Sequence, residues 1–179
     1  STQSRSAAAS DVYKRQLHGE HNVYNALGVL ALARHNNIDD DVLSEAFATF
    51  QSVKRRMELR GEISNIFVYD DFAHHPTAVL KTLKTARSLH SENRLIAAFE
   101  PRSNTSVQNM MQTELEEALS LADRVLLSKP HRMNSIPESK RLNTNALTDN
   151  LAKQGVPASS HDNPDDILKT LKEECRSGD

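Results

Sequence analysis

The segment Val68 to Thr77 reads Val-Tyr-Asp-Asp-Phe-Ala-His-His-Pro-Thr, so an apolar stretch runs directly into two acids, two histidines and a proline. Carboxylates accept hydrogen bonds, and an imidazole can take up and return a proton near neutral pH. A proline at this point suits the first position of a helix. In an open parallel sheet, ligands settle outside the carboxyl ends of strands, where side chains converge with the free N–H groups of the next helix. Asp70, Asp71, His74 and His75 are therefore candidate site residues. Each also has an ordinary local use: either aspartate can organise a turn, and His75 can cap the helix that Pro76 begins. The two histidines lack the ligand spacing of a zinc site, so they are a weak metal signal, and an imidazole suits proton transfer near neutral pH.

Three further strings carry polar groups in order along the chain. The first is Gly19-Glu20-His21-Asn22-Val23-Tyr24-Asn25, the second Val53-Lys54-Arg55-Arg56-Met57-Glu58-Leu59, the third Phe99-Glu100-Pro101-Arg102-Ser103-Asn104-Thr105. Asn22 and Asn25 are three apart at a helix start and so share a face, where two amides can meet a donor and acceptor edge. Capping is the alternative use of either. Arg55 and Arg56, in an extended segment, would point to opposite sides, so that one can meet an anion while the other is solvated. Arg102 follows an apolar strand, with Ser103 and Asn104 beside it. A guanidinium fork backed by small polar groups suits a carboxylate; the alternative is a surface arginine.

Bulk properties narrow the classes. The chain has 179 residues, 37% of them hydrophobic and 26% charged, with a formal net charge of −2. That charge offers no broad electrostatic footprint for nucleic acid, and no apolar run approaches the ~20 residues of a membrane span. A soluble, cytoplasmic protein is expected. Cys175 is the single cysteine, which excludes an internal disulfide and agrees with a reducing compartment. The glycines at 19, 28, 61, 155 and 178 form neither G-x-x-x-x-G-K-[ST] nor G-x-G-x-x-G, so a phosphate loop and a dinucleotide fingerprint are both missing from this sequence.

The elements that must position these groups follow from periodicity. Residues 22–34 place Val23, Ala26, Leu27, Leu30 and Ala31 on one helical face, and residues 40–50 do the same with Val42, Leu43, Ala46 and Phe47. From there strands alternate with helices, the pattern of an α/β fold with a Rossmann-like, mostly parallel sheet flanked by helices. Strands are expected at 57–63, 66–69, 95–99, 125–128 and 156–160, and helices at 76–90, 107–122, 144–154 and 164–175. Leu95 to Phe99 is apolar throughout, as expected of a central strand buried on both sides. Inward stripes are Val79, Leu83 and Ala86, then Leu115, Ala118 and Leu119. Residues 1–16 are expected to be a non-native or disordered leader: Asp11 to Gln16 reads as translated adapter sequence, the alternative being a disordered N-terminal tail, and fold reasoning begins at Leu17.

Taken together, G-x-H-N-x-x-N, R-R-x-E, D-D-F-A-H-H-P-T and E-P-R-S-N-T resemble the Mur ligases, the ATP-dependent amide-forming enzymes of peptidoglycan synthesis. The last two strings are similar to the murein peptide branch of that family. The resemblance runs from about Leu17 to Asp179 and is dense only as far as Thr105; Ser52 departs from the glycine that relatives commonly carry there. It implies three parts: the leader 1–16, the last helices of a central ATP-binding domain at 17–53, and an acceptor-binding domain at 54–179 that would continue past Asp179 into a further strand and helix. It implies ATP and Mg2+ as cofactors, the metal ligands lying mostly upstream. It also implies that UDP-N-acetylmuramate and the peptide L-Ala-γ-D-Glu-meso-diaminopimelate are joined through an acyl phosphate. By that resemblance Asn22 and Asn25 bind adenine, Arg56 rather than Arg55 meets phosphate, and Asp71 rather than Asp70 orders the nucleotide. His74 serves the acceptor peptide or takes the amine proton, with His75, Arg102, Ser103 and Asn104 in the acceptor pocket. Two other readings stay open: a UDP-N-acetylmuramate:L-alanine ligase, which shares H-H-P-T, and a non-catalytic binding module of the same fold.

Overall fold

The computed structural model describes residues 18–103, 106–130 and 136–179. The leader 1–16 and the candidate Asn104 lie outside the described residues. The chain divides into two compact units, residues 1–58 and 59–179.

Among its described residues the first unit carries two helices, α1 (Glu20–His35) and α2 (Asp40–Thr49). Gly19 precedes α1 at φ 95°, a conformation that glycine adopts without steric cost. Arg34 donates to both carboxylate oxygens of Asp40, tying the two helices at the surface. The expected apolar faces are only partly buried. Ala33 and Leu43 are covered, while Val23, Leu27 and Val42 are exposed, because two short helices offer too little area to cover each other's stripes.

The second unit is α/β, as the alternation of elements required. A hairpin comes first: β1 (Glu58–Ile63) and β2 (Ile66–Asp70) pair across Ser64 and Asn65, which both have positive φ. Two such residues make the tight turn whose twist matches a hairpin. These two strands thus form their own sheet rather than joining a parallel one, a turn that hydrophobic periodicity alone does not reveal.

The parallel sheet has the order β3 (Ile96–Phe99), β4 (Arg124–Ser128), β5 (Ala158–His161). Its middle strand is β4, with Val125, Leu126 and Leu127 fully buried. The expectation that Leu95 to Phe99 is central is corrected: β3 pairs with β4 on one side, whereas β4 is paired on both, Ala97 opposite Val125 and Leu126 opposite Ser159. An apolar run reports burial, and it does not report how many neighbours a strand has.

Helices cover both faces of this sheet. Val125 and Leu127 share a face and pack with Val79 and Leu83 of α3 (Pro76–Leu89), Leu115 and Leu119 of α4 (Gln112–Leu119), and Leu147 and Leu151 of α5 (Thr144–Lys153). The period of two turns Arg124 and Leu126 to the other face. There Arg124 grips Glu174, the last residue of α6 (Pro164–Glu174), with two hydrogen bonds of 2.9 Å, and also donates to Ser159 Oγ. The expected inward stripe of α3 is buried at Val79, Leu83 and Ala86. α4 starts later than expected, since residues 109–111 form a 3-10 turn and Gln108 bridges to Arg141.

Candidate functional site

Strand β2 ends at Asp70, and the chain crosses to α3 in five residues. One carboxylate oxygen of Asp71 accepts the Ala73 N–H at 2.8 Å, closing the turn in the way an aspartate side chain favours. His75 is the N-cap of α3, with Nδ1 accepting the Thr77 N–H at 3.3 Å, and Pro76 takes the first helical position. The local uses of Asp71, His75 and Pro76 are therefore realised. His74, half-buried, makes a different bond: Nδ1 lies 2.9 Å from the Phe72 carbonyl oxygen, and the imidazole meets the Phe72 ring edge-on at 5.1 Å.

The carboxyl end of β3 leads to Arg102, whose side chain is 74% exposed and stands 3.6 Å from Glu100 Oε1. Ser103 is committed to the loop itself. Its hydroxyl donates to Ser106 Oγ, the Ser106 N–H donates back to Ser103 Oγ, and the Ser106 hydroxyl donates to the Ser103 carbonyl. Ser106 is almost fully buried, so this serine pair shapes the loop that presents Arg102. Sequence reasoning missed Ser106 and Glu100. Their spacing of three and two from the candidates was the available signal, since serine and glutamate readily bond within a loop.

Within the first unit, Asn22 and Asn25 do share a helical face. The Asn25 amide donates to Asn22 Oδ1 at 3.3 Å, and the Asn22 amide donates to the His18 carbonyl at 2.7 Å. Neither is the cap, because Gly19 holds that position. Arg55 and Arg56 do not lie in an extended segment. Arg55 and Met57 both have positive φ, and the Arg55 N–H donates to Glu58 Oε2 at 2.9 Å, so residues 54–57 turn before β1 starts. The alternation argument for this pair is thereby replaced by turn geometry, and Arg56 is exposed at the bend.

A family model described as Mur ligase, glutamate ligase domain, matches residues 55–179, well over half of the chain. The chain belongs to the Mur ligase family. The Escherichia coli ligase named for UDP-N-acetylmuramate and L-alanyl-γ-D-glutamyl-meso-2,6-diaminoheptandioate is 44% identical over 118 residues, covering 65% of this chain and 26% of that protein. A UDP-N-acetylmuramate–L-alanine ligase from Caldicellulosiruptor bescii is 30% identical over 171 residues, covering 93% of this chain and 36% of that protein. Among solved structures, a murein peptide ligase from Psychrobacter arcticus superposes with a TM-score of 0.66 at 36% identity, covering 92% of this chain and 33% of the other. The chain thus spans little more than a third, at most, of the curated relatives named here.

Mur ligases are ATP-dependent ligases. In that frame the turn after β2 and the loop after β3 are where this unit of the fold presents polar side chains beyond its strands. Among the described residues no three His, Cys, Asp or Glu side chains gather as a metal site. Among the described residues, no helix is long and apolar enough to cross a membrane.

Proposed function

We propose that this chain is the acceptor-binding part of a cytoplasmic murein peptide ligase, attached to the last helices of its ATP-binding domain. The intact enzyme joins L-Ala-γ-D-Glu-meso-diaminopimelate to UDP-N-acetylmuramate for cell-wall recycling. ATP phosphorylates the muramate carboxylate, and the peptide amine attacks the acyl phosphate. The N–C bond forms as the C–O bond to phosphate breaks, phosphate leaves with the electron pair, and His74 takes the amine proton. Such a reaction demands positioning and charge neutralisation above all. Asn22 and Asn25 serve adenine, while Arg56 and Asp71 serve the rest of the nucleotide. Arg102 receives an acceptor carboxylate, its fork allowing two parallel hydrogen bonds. Its exposure leaves it room to turn from Glu100 to a ligand. Asn104 completes the acceptor pocket, whereas Ser103 acts by shaping the loop.

The observation that carries this reading is the 44% identity to the ligase named for the tripeptide, against 30% to the one named for L-alanine, over spans that both include residues of this unit. The alanine ligase is the second reading, since its match extends over 93% of the chain. A full-length enzyme rebuilt around this segment tests both. Initial rates with tripeptide and with free L-alanine are expected to favour tripeptide. Arg102→Ala is expected to lose tripeptide efficiency selectively, and Arg102→Lys to recover only part of it. A parent that prefers alanine makes the second reading correct, and a parent that ligates neither makes the segment a binding module.

A further inference from the structure

His74 and His75 are neighbours in sequence, yet each imidazole has one nitrogen committed to a backbone partner of opposite polarity. The Phe72 carbonyl oxygen can only accept, so the His74 Nδ1 that lies 2.9 Å from it must carry the hydrogen. In the neutral ring, Nε2 of His74 is then a lone-pair acceptor. The Thr77 N–H can only donate, so the His75 Nδ1 it meets at 3.3 Å must be bare, and the neutral ring carries its hydrogen on Nε2. The second bond is a helix cap that any proton on Nδ1 would displace, which gives it a structural reason to persist.

We propose that the two histidines are held in opposite tautomers, His74 offering a proton-accepting Nε2 and His75 a proton-donating Nε2–H. The pair then reads a ligand by polarity. A group that meets His74 has to be a donor, such as the amine of the incoming acceptor, and one that meets His75 has to be an acceptor, such as a carboxylate or amide oxygen. His74 can take a proton on Nε2 while keeping its bond to Phe72, so the ring stays oriented through the transfer. His75 has no such route, and it positions α3 in place of acting as a base. This division of roles rests on the ligase reading; the tautomers themselves do not.

Long-range proton–nitrogen correlation spectra of the 15N-labelled chain, recorded at about pH 8.5 where ordinary imidazoles are neutral, read each ring nitrogen directly. Assignment comes from His74→Asn and His75→Asn. The expected pattern is a protonated Nδ1 with a bare Nε2 for His74 and the reverse for His75. Identical tautomers in the two rings, or averaging between tautomers in either, would overturn the proposal. The Thr77 amide supplies a second reading: its hydrogen exchange is expected to quicken in His75→Ala and to stay slow in His75→Asn, whose side chain can still cap. Equal exchange in parent and both variants sinks the cap. In the full-length ligase, His74→Asn retains a donor toward Phe72 but no base, and kcat is expected to fall roughly 100-fold; a parent-like kcat removes His74 as proton acceptor. The nitrogen spectra need neither ATP nor acceptor, so failure of the ligase reading and failure of the tautomer assignment are separately visible.

Discussion

The Ser103 hydroxyl donates to Ser106 Oγ at 2.9 Å, and the Ser106 N–H returns a bond to Ser103 Oγ at 3.0 Å. Two small residues thereby close the loop that follows β3 and fix the backbone on which Arg102 stands. Ser106→Ala removes the buried hydroxyl that accepts from the Ser103 N–H and hydroxyl, so these two donors lose their partner, while the Ser106 and Val107 N–H groups still donate to Ser103. A loss of about 1 to 2 kcal/mol in urea unfolding is expected, the range for a broken hydrogen bond with an orphaned partner. An unchanged midpoint would mean that water replaces Ser106 without loss.

Asp71 serves the turn and, on the proposed reading, the nucleotide. Asp71→Asn separates the two, because an asparagine carbonyl still accepts the Ala73 N–H while the charge is gone. In a full-length enzyme, Asp71→Asn and Arg56→Ala are each expected to cost about 1.5 to 3 kcal/mol in kcat/KM for ATP, as lost charged hydrogen bonds do. Folding should survive in both. Normal ATP kinetics in the two variants would return these residues to purely local roles.

Arg94 and Asp179 form a two-point ion pair at 2.8 Å, and the Asp179 side chain is only 3% exposed. Arg94 also donates to the Glu174 carbonyl, so one guanidinium pins the end of α6 and the residues after it. Arg94→Ala leaves the buried Asp179 carboxylate with the Arg176 N–H but no countercharge from Arg94, and is expected to destabilise the fold by about 3 kcal/mol. A double-mutant cycle with Asp179→Ala checks the cause: the double variant should lose clearly less than the two singles together.

Acid should unfold this protein through three paired carboxylates. Burial would raise the carboxyls of Asp123 and Asp179, yet hydrogen bonds from Arg87 and the Leu95 N–H, and from Arg94 and the Arg176 N–H, outweigh it and hold both below the usual range. The hydrogen bonds from Arg124 hold Glu174 low as well. Groups with depressed values stabilise the fold above the unfolded carboxyl range, about 3.9 to 4.3, and that contribution is lost as pH falls through their folded values. Urea midpoints are therefore expected to be insensitive to these groups between about pH 5 and 7 and to drop below about pH 4. Asp123→Asn and Glu174→Gln should each flatten the acid limb; a limb unchanged in both would assign it to other groups.

Residues within one turn of each other determined much by themselves. The stripe Val79, Leu83 and Ala86, the proline at the start of α3, the histidine cap before it and the shared face of Asn22 and Asn25 follow from helical period and capping chemistry, which act over three or four residues. The motifs that place the chain among the Mur ligases were equally readable, being contiguous strings. Tertiary structure alone decided the rest. β4 rather than β3 is central because strand order depends on which edges meet, and an apolar run is silent on that. Arg124 meets Glu174 across 50 residues, and Arg94 meets Asp179 across 85, through the register of parallel strands and the helix that covers them. The bend at Arg55 and Arg56 depends on the Glu58 carboxylate capturing a backbone N–H, a local bond that no period announces. Periodicity encodes which face is apolar; only the packed chain settles which polar groups are left to face a ligand.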